Sequence, residues 1–563
     1  MGGRWAATVT GLCTVLGLAA VGTPAVASGP AVDVIVRTAS PDALARAEAF
    51  VRRSGGTVER ELSVISGFAA RVPSGAVPEL ERTPGVAEVT ADGTVRMKGK
   101  KWIDDGGVNA SVGSVKKAAG GKKANTAALT GAGIGVALID SGVAPVPGLM
   151  QAGKVVNGPD LSFESQTPGL VNVDSYGHGT HMAGIIAGND PASGFEGLAP
   201  GAKLISLKVA AADGAADVSQ VIAAIDWVVT HRNDPGLNIR VLNLSFGADS
   251  TQSAVLDPLS YAVEAAWRKG IVVVVAVGND GPTSTRVTMP AANPYVIAVG
   301  AADANGTEIR TDDTVASFST RGSVARHADL VATGRSIVSL RVPGSYIDTE
   351  YPAARVSETT FRGSGTSQAT AVVSGSVALL LQQRPGLTPD QVKKLLVASA
   401  DPLAGADPIA AGAGQLDIAE AATLTAPLNA RQTFLPATGL GTLEGSRGSS
   451  YVVDSVTGRA LTGERDIFGA PWRPLVWTAL ARDGRAWTGG TWNGNVWSGS
   501  AYNGTSWASV TWNTATWTSL NWAGRRWTGT DWTGRAWTGR AWTGRAWTAG
   551  TWLGRAWTGR AWT

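Results

Sequence analysis

Three short strings carry residues that could turn a hydroxyl into a nucleophile. GVALIDSG at 135–142 is an apolar, strand-like run that ends on a carboxylate, Asp140. GHGTHMAGIIAG at 177–188 sets His178 between two glycines at the mouth of an apolar helix. GSGTSQATAVVSGSVALLL at 363–381 offers a small hydroxyl, Ser367, just before a second helix. A serine hydroxyl is a poor nucleophile near neutral pH, so an imidazole must take its proton and a carboxylate must hold that imidazole in the right tautomer. In that scheme Ser367 attacks, His178 is the base and Asp140 orients it. Taken singly, each residue has a plainer reading: a histidine near glycines is a loop residue, and an aspartate at a strand end is a turn former. The order Asp, His, Ser within these flanks selects the catalytic reading. It also excludes the α/β-hydrolase arrangement, whose order is Ser, Asp, His and whose nucleophile sits in G-x-S-x-G rather than in GTSQA. His181 is expected to be structural, one turn further along the same helix, and His231 and His327 to be surface or loop residues.

Further strings follow in order: NLSFG (243–247), VVVVAVGNDG (272–281), MPAANPYVIAVGA (289–301), ASFSTRG (316–322) and LTPDQVKKLL (387–396). Together with the first three, they make residues 125–425 resemble the subtilisin-like serine peptidases. The resemblance implies an α/β catalytic domain on a parallel sheet, and an endopeptidase that cuts polypeptide substrates through an acyl-enzyme without a cofactor. It assigns Asn279 as the side-chain donor to the oxyanion, with the Ser367 backbone N–H as the second donor. It lays the substrate as an extra strand between Gly214, Ala215 and Ala216 on one side and Ser245, Phe246 and Gly247 on the other. Val218 falls where a larger aromatic often closes an outer subsite, which implies an open apolar pocket. One departure adjoins the nucleophile: Gln368 replaces the family's usual methionine, and no proline follows. Structural calcium is common in such enzymes, but Asp190 and Glu196 in AGNDPASGFEG are too sparse to name ligands, so no metal site is assigned.

At 563 residues the chain is too long for one compact core. Arg4 is the only charge before an apolar run from Ala6 to about Val21, and AVA at 25–27 supplies the small residues of a cleavage site, so 1–27 reads as a secretory signal. The expected mature protein is therefore extracellular, with no membrane span. The single cysteine, Cys13, lies inside that signal, which leaves the mature chain without disulfides. Residues 28–98 read as a small α+β unit: strand VDVIV, a helix from a Ser cap to Gly55, a hairpin over GTVERELSVISGFAARVP, a short helix at 74–82 and a strand in GVAEVTADGTVRM. That β-α-β-β-α-β order is ferredoxin-like. Ahead of a subtilisin-like domain it resembles the family's inhibitory propeptide, released by self-processing in a Gly- and Lys-rich junction at 99–124.

Residues 426–476 read as a connecting segment with a small structured piece around GERDIFGAPW. From 477 to 563 Trp or Tyr recurs about every fifth residue, a step that makes one apolar stripe on neither a helix nor a strand. The expectation is a β-rich stack of short turns, or disorder. Nine Arg against two Asp give this region +7, while the whole chain carries +4. Trp faces flanked by Arg suit cell-wall polymers or polysaccharide, with nucleic acid a distant third; Trp packing on Trp is the structural alternative. LPATG at 435–439 matches a wall-anchoring signal but has no apolar segment after it, and reads as a decoy. Two functions follow: a secreted, self-processing serine endopeptidase, or a surface-binding protein with a catalytically silent peptidase scaffold. Intact Asp140, His178, Asn279 and Ser367 favour the first.

Overall fold

The computed structural model describes residues 29–62, 67–91, 108–123, 125–162, 164–165, 170–448, 451–452, 462–488 and 491–496. The expected signal, the first part of the junction and the repeats beyond 496 lie outside the described residues. The chain divides into two compact units, one ending at Val95 and one beginning at Arg96.

In the first unit β1 (Ala31–Thr38), α1 (Pro41–Arg53), β2 (Thr57–Leu62), β3 (Gly67–Pro73), α2 (Val77–Glu81) and β4 (Val86–Ala91) follow in the expected order. The sheet runs β2-β3-β1-β4, with every pairing antiparallel. Ser40 Oγ accepts from Ala43 N and opens α1; Gly55, at φ +80°, takes the chain out of it. Ala43, Ala47 and Val51, spaced four apart, form the buried face of that helix. Val34 and Val36, two apart on β1, meet Phe68, Val72 and Leu80 in a small core.

The second unit is built on β5 (Gly135–Asp140), β6 (Val155–Asn157), β7 (Lys203–Lys208), β8 (Ile239–Leu244), β9 (Val272–Ala276), β10 (Ile297–Asp303), β11 (Thr314–Val315) and β12 (Leu330–Thr333). Their order is β11-β10-β9-β8-β5-β7-β6, with β12 also beside β10. All pairings are parallel except that of β10 with β11. Every residue of β5, β9 and β10 is buried, as continuous apolar runs demand when both faces of a sheet are covered. The helices that matter for the site are α3 (His178–Ala187), α4 (Val218–His231), α5 (Pro258–Arg268) and α6 (Thr366–Gln383). In α6 the run Thr366 to Leu381 is buried without a polar stripe, which marks a helix inside the molecule rather than on its surface.

The C-terminal part departs from the sequence expectation. The described residues of 426–476 include parts of the main core, and the boundary expected at 477 falls within that packing. Two further helices, α7 (Leu443–Arg447) and α8 (Pro474–Arg482), are followed by the short antiparallel strands β13 (Trp487–Thr488), β14 (Thr491–Trp492) and β15 (Asn495–Val496). Trp472, Trp477, Trp487 and Trp492 are buried in the same apolar cluster as the strands of the main sheet. The ring N–H groups of the last three show why α4 receives them. Trp477 Nε1 and Trp492 Nε1 donate to Asp226 Oδ2 at 2.7 and 3.0 Å, and Trp487 Nε1 donates to the Ala223 carbonyl. A buried indole needs such an acceptor, and one face of α4 provides it. No helix among the described residues is long and apolar enough to cross a membrane.

Candidate active site

Strand β5 lies between two parallel neighbours, so its carboxyl end is fixed on both sides, and Asp140 is its last residue. His178 is the first residue of α3 and sits over that end. Its Nδ1 stands 2.7 Å from Asp140 Oδ1, with both side chains nearly buried. The glycines around His178 make this approach possible. Gly177 is at φ +102°, which favours glycine, and a Cβ on Gly179 would collide with the Gly142 carbonyl. Asp140 Oδ1 also accepts from Ser141 N at 2.8 Å, so the carboxylate is held from the backbone as well.

A second aspartate, not singled out from the sequence, completes this corner. Gly177 has no side chain to cap α3, and Asp174 supplies the cap: its oxygens accept from Gly177 N at 2.6 Å and Thr180 N at 2.7 Å. Asp174 Oδ1 also accepts from Ser141 Oγ at 2.8 Å. Burial pushes the Asp174 carboxyl upward, against the pull of these donors. Its signal was legible: an acidic residue four positions ahead of a helical histidine whose own N-cap is glycine.

Ser367 is the second residue of α6, and its Oγ donates to the Ser245 carbonyl at 2.8 Å. Ser245 Oγ in turn donates to the Ser367 carbonyl at 3.2 Å, and Asn243 and Ser374 extend the chain of bonds behind it. Ser245, expected only as part of a peptide-binding edge, therefore also holds the backbone of Ser367. Asn279 lies beyond β9. Its Oδ1 accepts from Thr366 N at 2.9 Å and Thr366 Oγ1 at 3.0 Å, which turns the Nδ2 hydrogens toward another acceptor. Gln368, in the usual place of methionine, is buried, and its Oε1 has no hydrogen-bond partner among the described residues.

One cleft of about 470 Å³ brings together Asp140, His178, Ser367 and Asn279, and with them Gly214, Ala216, Ser245, Phe246 and Gly247. Ala215 adjoins this edge without lining the cleft. Val218, Val221 and Leu259 give it an apolar end. His181 has the structural role expected of it: it is fully buried, its Nε2 lies 3.1 Å from the Phe361 carbonyl, and burial pulls its imidazole down to about 3. His231 stacks on Trp227 and bonds Asp234, and His327 bonds the Ala328 carbonyl.

The Subtilase family model matches residues 131–429, more than half of the sequence. This chain belongs to the subtilase family. A "Putative peptidase inhibitor domain" model matches residues 25–92, the ferredoxin-like unit. Serine protease AprX of Bacillus subtilis is 40% identical over 301 residues, covering 52% of this chain and 67% of its own. Subtilisin E of the same organism is 30% identical over 371 residues, 65% of this chain and 83% of its own. Subtilisin DY of Bacillus licheniformis is 34% identical over 295 residues, 52% and 92% respectively. This subtilase is accordingly a serine peptidase with an N-terminal inhibitor propeptide, and its chemistry needs no cofactor.

Two acidic groupings among the described residues include carboxylates already paired with cationic side chains. Asp401, Asp417 and Glu420 converge, but Lys123 lies 2.7 Å from Asp417, and Arg310 reaches Asp401 at 3.0 Å and Asp417 at 3.3 Å. In the loop considered from sequence, Glu196 pairs with Lys116 at 2.5 Å and Lys122 at 3.5 Å. These carboxylates face amino and guanidinium groups, which offer no oxygen ligand to a calcium ion.

Proposed function

We propose that Ser367, His178 and Asp140 are the catalytic triad of an endopeptidase that is secreted and matures by its own activity. The observation that carries this reading is the buried 2.7 Å His178–Asp140 contact in the cleft that also holds Ser367 and Asn279. An extended peptide pairs with Gly214–Ala216 on one rim and Ser245–Gly247 on the other, which places a scissile carbonyl over Ser367. The Ser367 hydroxyl turns from the Ser245 carbonyl toward His178. Oγ attacks the carbonyl carbon as His178 Nε2 takes the proton, and Asp140 holds the imidazolium that forms. The oxyanion receives hydrogen bonds from Asn279 Nδ2, freed by Thr366, and from the Ser367 N–H at the start of α6. His178 then protonates the leaving amine, the C–N bond breaks, and water enters by the reverse sequence to release the acyl group. The inhibitor unit ahead of the domain supports a precursor that is cut after export.

Ser367→Ala tests both parts. Casein clearing should fall by at least about 10⁴-fold, the scale on which triad residues act. The secreted chain should also retain its N-terminal unit in a host without other extracellular proteases. Undiminished clearing by the variant would remove Ser367 from the mechanism, while normal maturation of an inactive variant would refute self-processing alone.

A further inference from the structure

Helix α7 lies outside the span that matches the family model, yet it is bonded to the chain just after each rim of the substrate cleft. On one side its last residue, Arg447, is almost wholly buried and lines the apolar end of the cleft. Arg447 Nε donates to Asp217 Oδ2 at 2.7 Å, and the rest of the guanidinium is bonded to Glu444 Oε1 at 2.8 Å, the Gly463 carbonyl at 2.7 Å and the Arg465 carbonyl at 2.6 Å. Asp217 follows directly on Gly214–Ala216. Its other oxygen caps α4 through Ser219 N at 2.9 Å, and so sets where Val218 and Val221 stand. On the other side Gly445 O accepts from Thr251 N at 2.9 Å and Ser250 Oγ at 3.1 Å, just beyond Ser245–Gly247. Gln252 exchanges two bonds of 2.8 Å with the backbone of Thr442. Gly448, at φ +65°, lies so close to the Asp249 carbonyl that a Cβ there would collide with it.

We propose that α7 is a strap that sets the spacing of the two rims, with Arg447 the positioning residue, so that the C-terminal extension tunes how this peptidase binds long, apolar peptides. The proposal rests on the peptide-hydrolysis reading above. With Nη2 also 3.4 Å from Asp217 Oδ1, all five N–H groups of Arg447 are engaged, so it has no donor left for substrate and acts through Asp217. Its effect falls on the outer part of the cleft, between Val218, Val221, Phe246 and Leu259, and not on Ser367. Shape there is read by burial of an apolar side chain, which a small widening weakens.

The test compares two chromogenic peptides cleaved by the mature enzyme. One is extended by four apolar residues ahead of the scissile bond, and the other carries a single residue there. Arg447→Lys keeps a charge but loses the forked contact. It should raise KM for the long peptide about tenfold with kcat changed less than about twofold, and should move the short peptide's kcat/KM by less than about twofold. Gln252→Ala loosens the other end of the strap from a half-buried site and should shift KM for the long peptide about two- to threefold in the same direction. Should Arg447→Lys fail to fold, Gln252→Ala decides alone. Equal effects on both peptides, or none in variants that melt as the parent does, would overturn the proposal. The peptidase reading fails separately, if the parent chain cleaves neither peptide in a Ser367-dependent way.

Discussion

The two ends of the described chain both lie outside the catalytic sheet, and they are stabilised in opposite ways. The N-terminal unit has its own sheet and its own core, from Val34 to Leu80. The segment from about 430 to 496 has only the short sheet β13-β14-β15 and no core of its own among the described residues. Its four buried Trp join the cluster of the main sheet, and its helix α7 is tied to the cleft. A piece with its own core can be cut away and leave the remainder intact. A piece that shares another's core is part of that domain whatever its position in the sequence.

The largest effect expected from this contrast comes from cutting at each junction. A chain ending at 429 would leave the acceptors Asp226 and Asp217 and a broad apolar surface open, so it should show no cooperative thermal transition and no peptide hydrolysis. A fragment of residues 29–95 should melt cooperatively by itself, since its size is at the lower limit for independent domains. A folded, active chain ending at 429 would show that the extension is merely attached.

Single substitutions sharpen the same point. Trp477→Ala removes a wholly buried ring that packs against Trp472 at 4.9 Å and Tyr261 at 5.2 Å, and also removes a donor to Asp226. It should cost about 3–5 kcal/mol, seen as a lower melting temperature of the peptidase domain. Phe68→Ala should cost a similar amount, but only in the melting of the N-terminal unit. If Trp477→Ala leaves the peptidase transition in place, the shared core is not what stabilises it.

The smallest expected effect is on pH dependence. Burial raises the Asp226 carboxyl to about 7, against the two indole donors that lower it. In the unfolded chain the group has its ordinary value, so between the two values the folded state holds a proton that the unfolded state lacks. The stability from this site is complete below the unfolded value and is lost as the pH rises through about 7. Asp226→Asn keeps an acceptor oxygen for both rings and removes the titration. Its melting temperature relative to the parent should therefore rise between pH 5 and pH 8, and parallel curves would mean that Asp226 stays ionised throughout.

Much of the site was legible because its parts are local. An apolar run ending on Asp140, glycines flanking His178 and a small-residue string around Ser367 each state a backbone requirement within about ten residues. The order of elements in the N-terminal unit was readable for the same reason: Ser40, Gly55 and the alternation of Val34 and Val36 act on near neighbours. Asp174 was within reach by the capping argument. Thr366 was not, because its role appears only when α6 meets the chain leaving β9.

By itself, then, the sequence singled out Ser367 and His178 as candidates and determined the inhibitor unit, since helix caps, strand ends and glycine turns are short-range physics. Only the tertiary structure decided which of the Trp rings are core and that Arg447 belongs to the substrate cleft. A five-residue period points side chains in all directions and says nothing of what they meet. Trp477 finds its acceptor on Asp226, 251 positions earlier, and Arg447 finds Asp217 across 230. Those pairings exist because a buried N–H and a buried carboxylate are each costly alone, and the fold is where they can satisfy one another.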